Sequence, residues 1–212
     1  MAEEQRNFER GLRFGPLGER WVHLCVDMQR MFAEGTDWYT PWMQRVLPNV
    51  VRVVEFDPAR TIFTRFIPVS SPMTASGSWQ RYYERWPRMT RNELDPSLID
   101  LLPQLAAFVP PARLEDKAVM SPWFGSLHAR LLSAKVTSII VTGAETEVCV
   151  LAAMMGGIDL GYRMILVADA VCSGADETHD AMLRVYESRF GVQVETVTTA
   201  ELLDAYIDGA LR

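Results

Sequence analysis

The feature that most constrains this chain is an alternation of short apolar runs with helical stretches. Residues 21–26 (WVHLCV), 61–66 (TIFTRF), 113–116, 136–141 (VTSIIV), 162–168 (YRMILVA) and 192–197 read as strands, because they are apolar, β-branched and bounded by polar or turn residues. Between them lie stretches with helical spacing. In 41–55 the apolar positions are 42, 43, 46, 47, 50, 51 and 54, with Thr40 as N-cap and Pro41 at the first helical position. Further helices are expected from Ser126 to about 134, over 147–160 with Thr146 as cap and Gly161 as stop, over 176–190, and over 200–211. Such alternation predicts a parallel sheet covered by helices on both faces.

Length and composition bound the rest. At 212 residues the chain fits one α/β domain spanning 1–212. Residues 1–20 are expected to form an N-terminal arm. The proline- and aromatic-rich stretch 68–111 is expected to form a lid-like excursion with short helices. Hydrophobic residues make up 49% and charged residues 23%, which excludes intrinsic disorder, and three cysteines exclude a disulfide scaffold. The net charge of −6 argues against nucleic-acid binding, which needs clustered positive charge. No apolar stretch is long enough for a membrane span, and the charged N-terminus lacks a secretory core. A cytoplasmic protein with free thiols is therefore expected.

In an open parallel sheet, ligands bind beyond the carboxyl ends of the strands. The expected strands deliver Asp27, then Arg65, Phe66 and Ile67, then Lys117, then residues 142–149, then Asp169. An acid, an amine and a thiol (Asp27, Lys117 and Cys149) thus converge on one rim, a set that suits nucleophilic catalysis. Lys117 stands out because the chain's other basic residues are arginines, Lys135 excepted. A compact ammonium does what a guanidinium cannot. A helix N-terminus and an adjacent Lys117 are expected to lower the Cys149 pKa, with Asp27 accepting the thiol proton. Backbone N–H groups of the 142–149 turn are positioned to hold an oxyanion.

These residues resemble a known family. VHLCVDMQRMF (22–32), TIFTRF (61–66), LEDKAVMSPWFG (114–125), IIVTGAETEVCVLAA (139–153) and LGYRMILVADAV (160–171) are similar to the isochorismatase-like cysteine hydrolases, over roughly residues 21–198. The resemblance implies a three-layer α/β/α fold with a six-stranded parallel sheet of order 3-2-1-4-5-6. It implies a catalytic triad of Asp27, Lys117 and Cys149, a cis peptide at Ala144–Glu145, and an oxyanion hole from the N–H groups of Glu145 and Cys149. The metal-dependent nicotinamidase branch carries histidines near the second strand and before the lysine. Here the histidines are His23, His128 and His179, so no metal and no other cofactor is expected. True isochorismatases lack the nucleophilic cysteine, so Cys149 favours C–N hydrolysis of a small amide, ureido or carbamoyl substrate through a thioester. An ester or enol-ether hydrolase, or an idle binding member of the family, is the alternative.

Phe32, Phe66, Trp79, Tyr82 and Phe124 are the candidate pocket walls, with Trp38, Tyr83, Trp86 and Trp123 as further aromatics. Arg65 and Arg81 have the fork geometry for a carboxylate, although surface ion pairs explain each. His179, Cys25 and Cys172 read as structural, and Asp169 as a turn cap. Gly156 and Gly157 fall late in a helix and make no dinucleotide fingerprint. The expected partners are a small-molecule substrate and further copies of the chain, in a homo-oligomer (dimer or tetramer).

Overall fold

The structure, a computed structural model, describes residues 11–210. Six parallel strands form one sheet in the order β3-β2-β1-β4-β5-β6. They are β1 (Trp21–Val26), β2 (Thr61–Phe66), β3 (Arg113–Lys117), β4 (Ser138–Ala144), β5 (Arg163–Cys172) and β6 (Val194–Val197). Every residue of β4 is buried, because a strand covered on both faces has no polar side to show water. Strand order reverses at β1–β4, so the crevice beyond their carboxyl ends is the topological switch point.

Helices cover both faces. α1 (Arg30–Ala33) follows β1 and is a single turn. On the same side, α2 (Met43–Phe56) buries Met43, Val46, Leu47, Val50, Val53 and Val54 in a core shared with Leu202 of α8 (Thr199–Ala210). The opposite face is covered by α5 (Leu127–Ser133), α6 (Cys149–Asp159) and α7 (Asp176–Arg189), whose buried residues include Leu131, Met154 and Tyr186. Between β2 and β3 the chain makes its excursion through α3 (Ser78–Arg85), α4 (Pro103–Ala106) and several 3-10 turns. That excursion is packed into the first core by Tyr83, Met89, Leu101, Leu102 and Leu105, all buried.

Local polar bonds move several expected boundaries. α2 starts at Met43 with Trp42 at the N-cap. Thr40 does not cap it with its side chain, because its hydroxyl bonds Trp38 O and Glu145 Oε1 instead. α6 starts at Cys149, two residues later than expected. The Thr146 hydroxyl is diverted to Cys172 O at 3.1 Å and His179 Nδ1 at 2.9 Å. β5 runs on to Cys172, past a bulge against β4 between Val141 and Gly143. Asp169 therefore lies inside a strand and caps no turn. Its carboxylate accepts from the Thr199 N–H (2.7 Å) and hydroxyl (2.8 Å) at the start of α8.

Of the N-terminal arm, residues 1–10 lie outside the described residues. Residues 11–17 run along the β5–β6 edge. Gly11 N–H donates to Thr196 O, Arg13 to Gly191 O and Val194 O, and Phe14 N–H to Glu195. Arg163 ties Glu195 to the carbonyls of Gly15 and Pro16. Among the described residues, no helix is long and apolar enough to cross a membrane.

Candidate active site

Asp27 follows the last residue of β1 in a left-handed conformation (φ +49°). That region is uncommon outside glycine, and Asp is among the residues that tolerate it best. The turn swings the carboxylate across the sheet's end to β2, where Thr64 donates its hydroxyl to Oδ1 at 2.6 Å. The Asp27 N–H bonds Thr64 as well, through both Oγ1 and O. Lys117, the last residue of β3, reaches across β2 and donates to Asp27 Oδ2 at 2.6 Å. Its ammonium lies 5.2 Å from the centre of the Phe66 ring beneath it. The side chains of Lys117 and Asp27 are only 4% and 1% exposed, so this is a buried ion pair.

Cys149 is the first residue of α6, directly beyond β4, and its thiol is within hydrogen-bonding reach of both Asp27 and Lys117. The close approach of β4 to β1 depends on Gly143. With φ at +110°, a Cβ there would sit 2.1 Å from Val26 O. The peptide bond between Ala144 and Glu145, next in the chain, is cis.

The electrostatics correct one expectation. Burial pushes the Cys149 thiol well above the ordinary thiol range, and the Asp27 carboxylate adds to the rise; Lys117 opposes them without prevailing. The resting thiol is therefore protonated. For Lys117, burial alone would lower the pKa, but the Asp27 carboxylate and then Cys149 outweigh it and the net shift is upward. Cys25, inside β1, is pushed up to about 12 by burial, and Cys172 is also raised by burial. All three thiols are free.

Above Cys149 opens a cavity of about 250 Å³. Four of the five expected wall residues line it: Phe32, Phe66, Trp79 and Tyr82. The fifth, Phe124, does not. It is 86% exposed in the 3-10 turn 122–124, because its neighbours Pro122 and Trp123 take the inward positions. Trp123 stacks on Tyr162 at 5.8 Å and donates Nε1 to Ala153 O. Trp38, Trp86 and Glu145 complete the lining, together with residues not singled out in the sequence, among them Asp37, Tyr39 and Met120. Burial, then Tyr83, Cys149 and Glu145, raise the Tyr82 hydroxyl well above its ordinary pKa, so it stays a neutral donor.

Arg65 is held by Asp116 (2.8 Å through both Nε and Nη2) and by Asp100, and it does not line this cavity. Arg81, exposed on α3, does not line it either. His179 bonds Thr146 and lies 5.5 Å from Trp42. Two supporting residues have no signal in composition or periodicity. Thr64 orients Asp27, and Gln29 stitches the rim: Phe66 N–H donates to its Oε1 (2.7 Å), while its Nε2 donates to Phe66 O and Ile99 O. An inward polar residue near the end of a central strand, and a Gln three positions past another, are the only hints.

Among the described residues, no three His, Cys, Asp or Glu side chains come together as a metal-binding group. At the carboxyl end of β2 stand Phe66, Ile67 and Pro68, which offer no metal-binding side chain.

A family model described as "Isochorismatase domain" matches residues 22–200. An uncharacterized isochorismatase family protein of Bacillus subtilis is 30% identical over 106 residues, covering 47% of this chain. That match spans 54% of the relative's own length, so the chain covers about half of the curated relative. A cysteine hydrolase from Pseudomonas syringae pv. phaseolicola superposes with a TM-score of 0.76 at 22% identity, over 89% of this chain and 93% of that one. An N-carbamoylsarcosine amidase from Thermoplasma acidophilum superposes with a TM-score of 0.68 at 15% identity, over 85% and 97%. At these identities the two structures speak for the fold.

Proposed function

This chain belongs to the isochorismatase family of hydrolases, and from that premise we propose that it is a cysteine amidohydrolase cleaving a C–N bond in a small amide, ureido or carbamoyl substrate. The observation that carries this reading is the buried Lys117–Asp27 pair with the Cys149 thiol in reach of both, at the base of an aromatic cavity. The similarity to an N-carbamoylsarcosine amidase fold is compatible with the same bond type.

The chemistry follows from the proton inventory. The resting thiol is protonated and Asp27 is beside it, so Asp27 takes the Sγ proton as sulfur attacks the carbonyl carbon. Charge then moves from Asp27 to the carbonyl oxygen. The N–H groups of Glu145 and Cys149, which have no acceptor among the described residues, are the donors for that oxyanion. Asp27 returns its proton to the leaving nitrogen, the C–N bond breaks, and ammonia or an amine departs from the thioester. Water then adds to the thioester, giving its proton to Asp27, and the carboxylic acid leaves as the thiol is restored. Lys117 remains charged throughout and steadies the negative charge shared among Asp27, Sγ and the oxyanion. Thr64 and Gln29 are positioning residues: they hold Asp27 and the rim without touching the reacting atoms.

The test is ammonia release over a panel of amides and ureido acids, with intact-mass detection of the acyl-enzyme. Wild type is expected to release ammonia and to show the adduct on Cys149. Cys149→Ala is expected to lose at least roughly a thousandfold in kcat. Ammonia release that survives Cys149→Ala would refute the nucleophile. Hydrolysis of esters alone would move the reading to the ester alternative.

A further inference from the structure

The cavity above Cys149 is lined by aromatic rings and by acidic side chains. Trp38 anchors the aromatic lining. Its ring stacks on Phe32 at 6.1 Å, meets Phe66 edge-on at 5.8 Å and lies 5.7 Å from Tyr82. Trp79 closes the belt against Phe66 at 6.3 Å and Tyr82 at 5.3 Å. Glu145 lines the same cavity.

The charges facing this space can be counted. Asp27 and Lys117, buried beside Cys149, neutralise each other. Asp37, at the rim, is paired with Arg88. Glu145 has only neutral partners, the Thr40 hydroxyl at 3.3 Å and the Gly174 N–H at 3.2 Å, and both use the same oxygen, Oε1. Among the described residues it has no cation within ion-pair distance. Among the described residues, the one uncompensated charge lining the cavity is thus the half-buried Glu145 carboxylate, in a space otherwise lined largely by aromatic rings.

We propose that the substrate carries a cationic group, a quaternary or protonated amine, seated between the Glu145 carboxylate and the aromatic belt. This rests on the reading of Cys149 as the nucleophile of an amidohydrolase, and it adds the substrate's charge. Ring faces attract a cation through their quadrupole, and the attraction grows when water is excluded. An anionic group here meets Glu145 with no counter-ion. A neutral group leaves the carboxylate buried beside apolar rings, an arrangement that disfavours its charged form. Burial, and then the neighbouring Glu147, already push the Glu145 pKa upward; a docked cation reverses that push.

The experiment uses two amides of the same shape that differ in charge: glycine betaine amide, with a trimethylammonium head, and tert-butylacetamide, its neutral carbon counterpart. Binding is measured by calorimetry and by tryptophan fluorescence on the full chain carrying Cys149→Ala, so turnover does not enter. The betaine amide is expected to bind at least about tenfold tighter than the neutral one. Adding Glu145→Gln is expected to narrow that ratio to about threefold or less. Equal or tighter binding of the neutral amide, a ratio unmoved by Glu145→Gln, or no measurable binding of either would overturn the proposal. The nucleophile stands or falls separately, on ammonia release by wild type against Cys149→Ala.

Discussion

The buried Lys117–Asp27 pair yields the most discriminating prediction. The two charged atoms are 2.6 Å apart, and both side chains are nearly sealed from solvent. With an effective dielectric of about 20, Coulomb attraction at that distance is about 6 kcal/mol. Desolvating the two ions costs several kcal/mol each, so the pair roughly breaks even for stability. Removing one partner is different, because the other charge stays buried. Lys117→Met is expected to destabilise by about 3 kcal/mol, at the low end of the range, since Asp27 keeps the Thr64 hydroxyl at 2.6 Å. Asp27→Asn is expected to cost nearer 5 kcal/mol, because the ammonium retains only Val119 O (3.3 Å) and Cys149. Asn tolerates the left-handed backbone at position 27, so the change isolates charge from conformation. The double variant buries no ion and is expected to be more stable than either single one, within about 1–2 kcal/mol of wild type. Urea unfolding at neutral pH measures all four proteins, with ammonia release recorded in parallel. All three variants are expected to be inactive. If the double variant loses the sum of the single losses, the pair is not coupled, and the view that it is kept for chemistry at no gain in stability fails.

His23 is fully buried between Thr61 Oγ1 (3.2 Å) and Thr142 Oγ1 (2.8 Å), and burial lowers its pKa from 6.5 to about 3. The unfolded chain therefore takes up a proton below pH 6.5 that the folded chain refuses, and stability falls as pH drops through that window. At pH 5 the loss from this residue is about 2 kcal/mol relative to pH 7.5. His23→Gln is expected to flatten the slope of unfolding free energy against pH by that amount; parallel slopes would refute it. A second prediction concerns the resting thiol. Because burial and Asp27 raise the Cys149 pKa, iodoacetamide labelling at neutral pH is expected to be slow, to rise with alkaline pH, and to speed up in Asp27→Asn. Site-resolved mass spectrometry reads this, and wild-type labelling with a midpoint below the ordinary value of about 8.5 would refute it.

Much of this protein was legible in its residues. The runs at 21–26 and 61–66 coincide with β1 and β2 because a strand buried on both faces is rich in apolar and β-branched residues, and that is a local property. In a parallel sheet all strands point the same way, so Asp27, Lys117 and Cys149, each at a strand's carboxyl end, fall on one rim before any coordinate is known. Helix starts were less legible. Thr40 and Thr146 are capping residues by type, yet their hydroxyls serve partners far along the chain. Phe124 shows the same limit: a 3-10 turn decides that Trp123 packs inward while Phe124 faces water, and aromatic character does not distinguish them. Sequence neighbours alone do not give the direction of the Cys149 pKa, because desolvation depends on everything that surrounds the thiol and here exceeds the pull of Lys117. The sequence by itself determined the strands, their direction and which acid, amine and thiol share one rim, all set by local pattern and topology. Only the tertiary structure decided their protonation, their supports Thr64 and Gln29, and the aromatic and anionic walls around them. Those depend on which distant segments exclude water from the same small space.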